Sequence, residues 1–163
     1  MATLSAIDIK HLERCIELAK EALSGGNDPF GSLIISKDGT VLFEDYNHTA
    51  NGNQTLHPEL AIAQWAAENL TPQERAEAIV YTSGEHCAMC SAAHAWAGLG
   101  KIIYAGSTEQ LSEWLSELSA LPMPIKPLSI KDVVVNIETE GPVPQFADTL
   151  RELHRQNYFA KNN

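Results

Sequence analysis

Cysteine is scarce in this chain, which has three cysteines among its 163 residues. Two of them, Cys87 and Cys90, belong to a single Cys-x-x-Cys, so the chain lacks the even, spaced set of cysteines that builds a disulfide framework in small secreted proteins. The third, Cys15, lies on the apolar stripe of the first helical segment. We predict that Cys15 is a small buried hydrophobic residue and not a ligand.

Long apolar runs are also missing. No stretch approaches the roughly 20 residues that a membrane-spanning helix needs. The first ten residues lack the basic region followed by an apolar stretch that is typical of a targeting signal. These two absences predict a cytoplasmic protein with no membrane partner.

Basic charge is low, with 11 basic against 21 acidic residues and a formal net charge of −10. A chain of this charge repels a polyphosphate backbone unless a local basic face overrides the repulsion. The sequence therefore argues against a nucleic-acid partner and favours a small, roughly neutral substrate.

Hydrophobic residues make up 44% and charged residues 20% of the chain, which is typical of a globular protein. The length predicts a single domain over residues 1–163. Apolar periodicity and turn residues predict helices and strands in alternation, which indicates an α/β sandwich. The predicted helices are 7–23, 58–70, 87–99, 108–118 and 145–158, and the predicted strands are 30–36, 41–46, 78–82, 101–105 and 132–138.

Two short segments carry the chemistry: His57-Pro58-Glu59 and Cys87-Ala88-Met89-Cys90. Pro58 suits the first position of a helix, so His57 is predicted at the helix cap, and the Cys-x-x-Cys opens a second helix. One histidine and two cysteines leave the fourth position of a tetrahedral Zn²⁺ open, which is typical of a catalytic site. Glu59, which is not a ligand, is available to move protons beside that position.

Three other interpretations compete with a catalytic zinc site. The Cys-x-x-Cys could be a redox pair, but such a pair would not explain His57 and Glu59. A structural zinc needs a fourth ligand, and His86 is poorly placed to be one because it adjoins Cys87. The histidine could also be unrelated to the cysteines. We interpret His86 as an exposed loop histidine, with contact to substrate as the alternative.

With these motifs the sequence resembles the zinc-dependent cytidine/deoxycytidylate deaminase superfamily, whose pattern is His-x-Glu followed by Cys-x-x-Cys. The resemblance extends from Pro29-Phe30-Gly31 to Tyr104-Ala105. Within the superfamily, the chain is most similar to nucleobase deaminases of the bacterial guanine deaminase type. Two positions depart from the usual pattern: His86 replaces a proline, and Pro58 replaces an alanine.

The resemblance implies a three-layer α/β/α sandwich with a five-stranded mixed sheet, assembled as a homodimer. It implies one Zn²⁺ per chain, held by His57, Cys87 and Cys90, with Glu59 as the general acid and base. A small heterocyclic amine, most readily of the guanine type and thus of purine metabolism, would be hydrolysed with release of ammonia. The resemblance also implies substrate contacts at Asn47 and Phe30. Guanine deaminases have an aspartate after the fourth strand that reads the purine amino group; this chain departs from that pattern and offers Glu113 or Glu117 there, of which we expect Glu117 to contact the substrate.

Two other functions remain open: a tRNA adenosine deaminase, and a non-catalytic member that uses zinc for stability and binds a ligand or partner. Three aromatic residues are candidates for the pocket wall. Trp96 and Trp114 lie at helical spacing, which favours core positions for both. Tyr158 could cap the site from the C-terminal segment.

Overall fold

The computed structural model describes residues 3–162. Both limits of the predicted domain, Met1 and Asn163, lie outside them. Within the described part the helices are α1 Ala6–Ser24, α2 Pro58–Asn69, α3 Pro72–Glu77, α4 Ala88–Trp96, α5 Thr108–Glu117, α6 Ile130–Val133 and α7 Ala147–Lys161. The strands are β1 Gly31–Ile35, β2 Val41–Tyr46, β3 Ile79–Gly84, β4 Ile102–Gly106 and β5 Thr139–Glu140.

The five strands form one mixed sheet in the order β2-β1-β3-β4-β5. Strand β1 pairs antiparallel with β2 and β3, whereas β3–β4 and β4–β5 are parallel. One apolar cluster joins the sheet to α1, α5 and α7, and a second joins its other face to α2 and to the end of α4. The predicted α/β fold with a five-stranded mixed sheet is therefore confirmed.

Helix α1 shows how the sequence produces the first outer layer. Ser5 and Asp8 form a capping box at its start, which satisfies backbone N–H groups that a helix leaves free. Its buried stripe includes Leu12, Cys15 and Ile16, all of which pack against the sheet. Cys15 has no solvent exposure, as predicted.

Side chains of β1 alternate between the two faces of the sheet. Leu33 and Ile35 join the cluster under α1, and Ile34 joins the cluster under α2. Because the side-chain period of a strand is two, Ser32 lies on the same face as Ile34, toward α2. This places a buried hydroxyl beneath the helix that begins at the His-x-Glu motif.

The predicted strand 132–138 is wrong. Residues Ile130–Val133 form α6, and the fifth strand is the short Thr139–Glu140. A capping box between Ser129 and Asp132 starts the helix, and this local effect outweighs the strand preference of the three consecutive valines that follow Asp132.

Some helix boundaries and one tryptophan position differ from the prediction. Helix α4 ends at Trp96, before the expected residue 99. Trp96 is 90% exposed, so its predicted core position is wrong, whereas Trp114 is buried as expected. Helix α3 was not predicted, although Thr71 and Glu74 form a capping box that signals its start.

None of the described helices has both the length and the apolarity to cross a bilayer.

Gly31 marks a close contact between β1 and α1. A Cβ atom there would overlap the backbone of α1 at Cys15 and Ala19. We expect Gly31→Ala to destabilise the fold by about 1–3 kcal/mol, because a helix backbone cannot move aside as a side chain can. Urea denaturation measures the loss.

Gly106→Ala is the matched control in β4. Its added Cβ would come too close only to Leu150 Cδ1, at 2.8 Å, and that side-chain end can rotate away; its other neighbours lie at 3.6 Å or more. Equal unfolding midpoints for the two variants would contradict the proposed closeness of α1 and β1.

Candidate active site

The structure places His57 at the cap of α2, as predicted. Its backbone is extended, with φ −87° and ψ 142°, and Pro58 occupies the first turn. The missing N–H of proline costs nothing there, because the first N–H groups of a helix have no partner within the helix. The extended cap lets His57 and Glu59 approach one site although they are two residues apart.

Cys87 caps α4 in the same way, with φ −67° and ψ 173°. Cys90 follows in the first turn and is fully buried. The positive end of a helix stabilises thiolates at such positions. Both motifs thus present their metal-binding atoms at helix N-termini.

The three side chains converge on one point. His57 Nδ1 lies 3.5 Å from Cys90 Sγ and 3.7 Å from Cys87 Sγ. In a tetrahedral zinc site, Zn–S and Zn–N bonds of about 2.3 Å and about 2.0 Å separate sulfur from nitrogen by about 3.5 Å. The donor set and its spacing therefore fit Zn²⁺. Among residues 3–162, these three residues form the one group of three or more His, Cys, Asp or Glu side chains whose ligand atoms all lie within 4.8 Å of one another.

Electrostatics favours a cation at this point. The hydrogen bond from Cys90, together with the neighbouring His57, lowers the pKa of Cys87 to about 4. The same pairing with Cys87, together with burial, raises the pKa of Cys90. The hydrogen bond to Cys87 raises the pKa of His57. These surroundings favour the thiolate form of Cys87, and a bound metal would displace the remaining protons.

Glu59 is 5% exposed, and two hydroxyl groups hold its carboxylate. Thr82 Oγ1 lies 2.9 Å and Ser32 Oγ 3.2 Å from Glu59 Oε1, and the two hydroxyls are 2.8 Å apart. Burial raises the pKa of Glu59. Sequence reasoning missed Ser32 and Thr82, although polar residues within otherwise apolar strands were a visible signal.

Phe30 lies just before the first hairpin and Asn47 just after it, so the two residues are side by side. The N–H of Asn47 donates to the carbonyl of Phe30 at 3.0 Å. Asn47 is 1% exposed, and its Nδ2 has no hydrogen-bond partner among the described residues. The ring of Phe30 packs against His154, with ring centroids 5.1 Å apart. A buried amide N–H without a partner is available for an acceptor on a ligand.

The two candidate glutamates of α5 lie elsewhere. The carboxylate of Glu117 accepts hydrogen bonds from Arg151 at 2.6 and 3.0 Å, and its side chain is half exposed. Glu113 is exposed and lines a cavity of about 780 Å³ that also contains Glu85. The structure does not bring either carboxylate into the cluster of His57, Cys87 and Cys90.

The expectation of an exposed His86 is wrong, since this residue is 1% exposed. Its ring meets His94 edge-on, with centroids 5.4 Å apart, and burial lowers its pKa well below the ordinary value. His94 in turn bonds to the carbonyl of Gly100 at 2.7 Å. His86 therefore packs against His94 of α4 and is not part of the cluster of His57, Cys87 and Cys90. This excludes His86 as a fourth zinc ligand.

Comparison with known proteins identifies the family. Residues 5–106 match the sequence model of the cytidine and deoxycytidylate deaminase zinc-binding region. The chain belongs to this family. The matched segment contains every residue of the candidate metal cluster, together with Glu59 and Asn47.

Individual family members agree over part of their length. The chain is 32% identical over 108 residues to a probable cytosine deaminase of Schizosaccharomyces pombe. This match covers 66% of this chain and 65% of that protein. It is 34% identical over 104 residues to the guanine deaminase of Bacillus subtilis, with 63% and 66% covered. The matches thus span about two thirds of these relatives.

Two further comparisons complete the description. A tRNA-specific adenosine deaminase of Rickettsia bellii is 26% identical over 98 residues, covering 59% of this chain and 68% of that protein. The solved structure of a guanine deaminase from Nitrosomonas europaea shares the fold, with a TM-score of 0.63 at 18% identity, covering 96% of this chain and 87% of the other.

Removing the imidazole should remove the metal. We expect His57→Ala to reduce zinc from about one ion per chain to a small fraction, because two thiols alone form an incomplete site. Zinc content of the purified variant, measured by atomic emission, checks this. His48→Ala is the control, since His48 is half exposed and bonds to Asp45 at 2.9 Å. Equal zinc content in the two variants would disprove the ligand assignment.

Proposed function

We propose that this protein is a zinc-dependent hydrolytic deaminase of an aminated nucleobase or related small heterocycle. The observation that carries the proposal is the buried carboxylate of Glu59 beside a cluster of three metal donors. A cluster that only stabilised the fold would ordinarily have a fourth protein ligand, and it would not need an adjacent buried carboxylate.

In this proposal His57, Cys87 and Cys90 would hold one Zn²⁺ and would supply three of its four ligands. When bound, Zn²⁺ supplies Lewis acidity that lowers the pKa of water from near 16 to about 7. The buried surroundings strengthen each electrostatic interaction at the site.

Glu59 carries the proton in the proposed reaction. Thr82 and Ser32 hold Oε1, and the other carboxylate oxygen makes neither of these contacts. That oxygen would take a proton from water and deliver it to the exocyclic amine of the substrate. Water adds its oxygen to the ring carbon, the carbon–nitrogen bond breaks, and the nitrogen leaves as ammonia.

Asn47 and Phe30 orient the substrate in this proposal. The Nδ2 group of Asn47 would donate to a ring carbonyl oxygen or an unprotonated ring nitrogen, since no described residue accepts from it. Phe30 offers an aromatic surface for a flat ring. The similarity to a guanine deaminase and the net charge of −10 favour a guanine-type base, and hence purine metabolism, over a polynucleotide.

Two alternatives remain as outcomes of the test: deamination of adenosine in tRNA, and zinc-stabilised binding without catalysis. Similarity to tRNA-specific adenosine deaminases supports the first. The homodimer, the cytoplasmic location and the single domain over residues 1–163 stay predictions from the sequence.

Ammonia release tests the proposal. The zinc-loaded protein is assayed with guanine, guanosine, cytosine, cytidine, adenine, adenosine, aminated pterins and triazines, and a tRNA anticodon stem-loop. We expect the protein to release ammonia from free bases, and fastest from guanine. Glu59→Gln should retain zinc and lose activity by roughly 100-fold or more, because it can no longer accept a proton.

Glu68→Gln is the matched control, an exposed glutamate on the same helix. It should behave as the wild type. Turnover of the tRNA fragment alone would favour the first alternative, and full zinc content with no turnover of any compound would favour the second.

The two hydroxyls behind Glu59 yield a separate prediction. Thr82→Val keeps the side-chain shape but removes the hydrogen bond to Oε1, so kcat should fall about tenfold while zinc content stays unchanged. Thr82→Ser should restore most of the rate. If Thr82→Val retained full kcat, Thr82 would have no part in holding the carboxylate.

A further inference from the structure

Asn47 has only one orientation that its surroundings allow. Its Oδ1 lies 3.0 Å from the backbone N of Thr49 and 2.6 Å from the hydroxyl of Thr49. A backbone N–H can only donate, so the side-chain atom that faces it must be the oxygen. A flipped amide would turn its Nδ2 toward the backbone N–H of Thr49 and would lose that hydrogen bond. The Nδ2 group is therefore held on the other side, buried and without a partner among the described residues.

The hydroxyl of Thr49 also reaches a carboxylate. It lies 3.1 Å from Asp28 Oδ2. Its single hydrogen is therefore shared between two acceptors, Asp28 and the nearer amide oxygen of Asn47. Thr49 is 3% exposed, which keeps water from replacing either contact. Asn27 reinforces the arrangement, because its Oδ1 accepts the N–H of Ala50 at 2.9 Å.

The C-terminal helix holds Asp28 in turn. Asp28 Oδ1 accepts from Asn157 Nδ2 at 3.0 Å and from the ammonium of Lys161, both on α7. Burial alone would raise the pKa of Asp28, but the bonds from Lys161, Asn157 and Thr49 outweigh it and hold the pKa below its ordinary value. The carboxylate is ionised at neutral pH; it accepts from Asn157 and Lys161 and shares the single hydrogen of the Thr49 hydroxyl with the amide oxygen of Asn47.

We propose that Thr49 and Asp28 are positioning residues: they hold the Asn47 amide with its N–H toward the substrate and link that orientation to α7. This inference rests on the proposed function, in which Asn47 contacts the ring. The last helix, α7, thereby takes part in substrate binding, although it lies 100 residues or more from Asn47 in sequence and outside the zinc motifs.

The chain contains its own control for this arrangement. Asn53 and Thr55 repeat the same local geometry, with Asn53 Oδ1 lying 3.1 Å from Thr55 N and 2.7 Å from Thr55 Oγ1. Both residues are exposed. A substitution at Thr55 thus removes the same kind of hydrogen bond from a copy of the motif at the surface.

The first test compares Thr49→Val, Thr49→Ser and Thr55→Val, all zinc-loaded, with guanine as the substrate. Thr49→Val should lower kcat/KM about fivefold, mainly through KM, because one neutral hydrogen bond no longer holds the amide. Thr49→Ser should recover the wild-type KM, and Thr55→Val should not change it. Identical KM values for Thr49→Val and Thr55→Val would overturn the proposal.

The second test addresses Asp28 and α7. Asp28→Asn and Lys161→Met should each raise KM, and Asp28→Asn combined with Thr49→Val should raise it by less than the product of the single effects, because the two residues act through one hydroxyl. Strictly multiplicative effects would exclude coupling between Asp28 and Thr49.

The third measurement does not depend on activity. The side-chain amide signals of Asn47 in a ¹H–¹⁵N spectrum of the zinc-loaded protein should shift in Thr49→Val and stay in place in Thr55→Val. If the wild type turns over none of the compounds, the proposed function fails, while these signals still decide the positioning. Unshifted Asn47 signals in Thr49→Val would overturn it.

Discussion

His57 and Cys90 are 33 residues apart in sequence, and the packing of α2 against α4 brings their side chains within 3.5 Å. Ile62, Ala63 and Ala66 of α2 share one apolar cluster with the residues that follow α4. Small side chains permit the close approach that two helix N-termini need if both are to present ligands to one ion. The position of the metal cluster thus depends on apolar packing that itself contains no ligand.

The sheet supplies the second constraint, through its register. Ser32 of β1 pairs with Thr82 of β3, so the two hydroxyls stand opposite each other on the face that α2 covers. Buried hydroxyls and a buried carboxylate are costly unless they bond to one another, and here they do so within one network. A slip of β1 by one residue against β3 would turn Ser32 to the α1 face and leave Thr82 as the one remaining hydroxyl partner of Glu59.

Local rules explain what the sequence could and could not predict. The cap position of His57 follows from Pro58, a neighbour in sequence, and was predicted correctly. The helix at Ile130–Val133 has an equally local signal in Ser129 and Asp132, which the following valines obscured. The burial of His86 has no local signal, because it depends on α4 lying over the ring. The hydroxyls behind Glu59 likewise depend on strand register, which no single segment specifies.

The residues around the proposed substrate contacts come from two parts of the chain. The family match ends at residue 106, after the metal cluster and Glu59 but before α5, α6 and α7. Yet α7 packs His154 against Phe30 and binds Asp28 through Asn157. The chain is similar to relatives named for cytosine, guanine and tRNA adenosine, so this similarity does not distinguish among rings. In the proposed function, the choice among rings depends on the groups around the substrate, and α7 contacts two of them, Phe30 through His154 and Asn47 through Asp28 and Thr49.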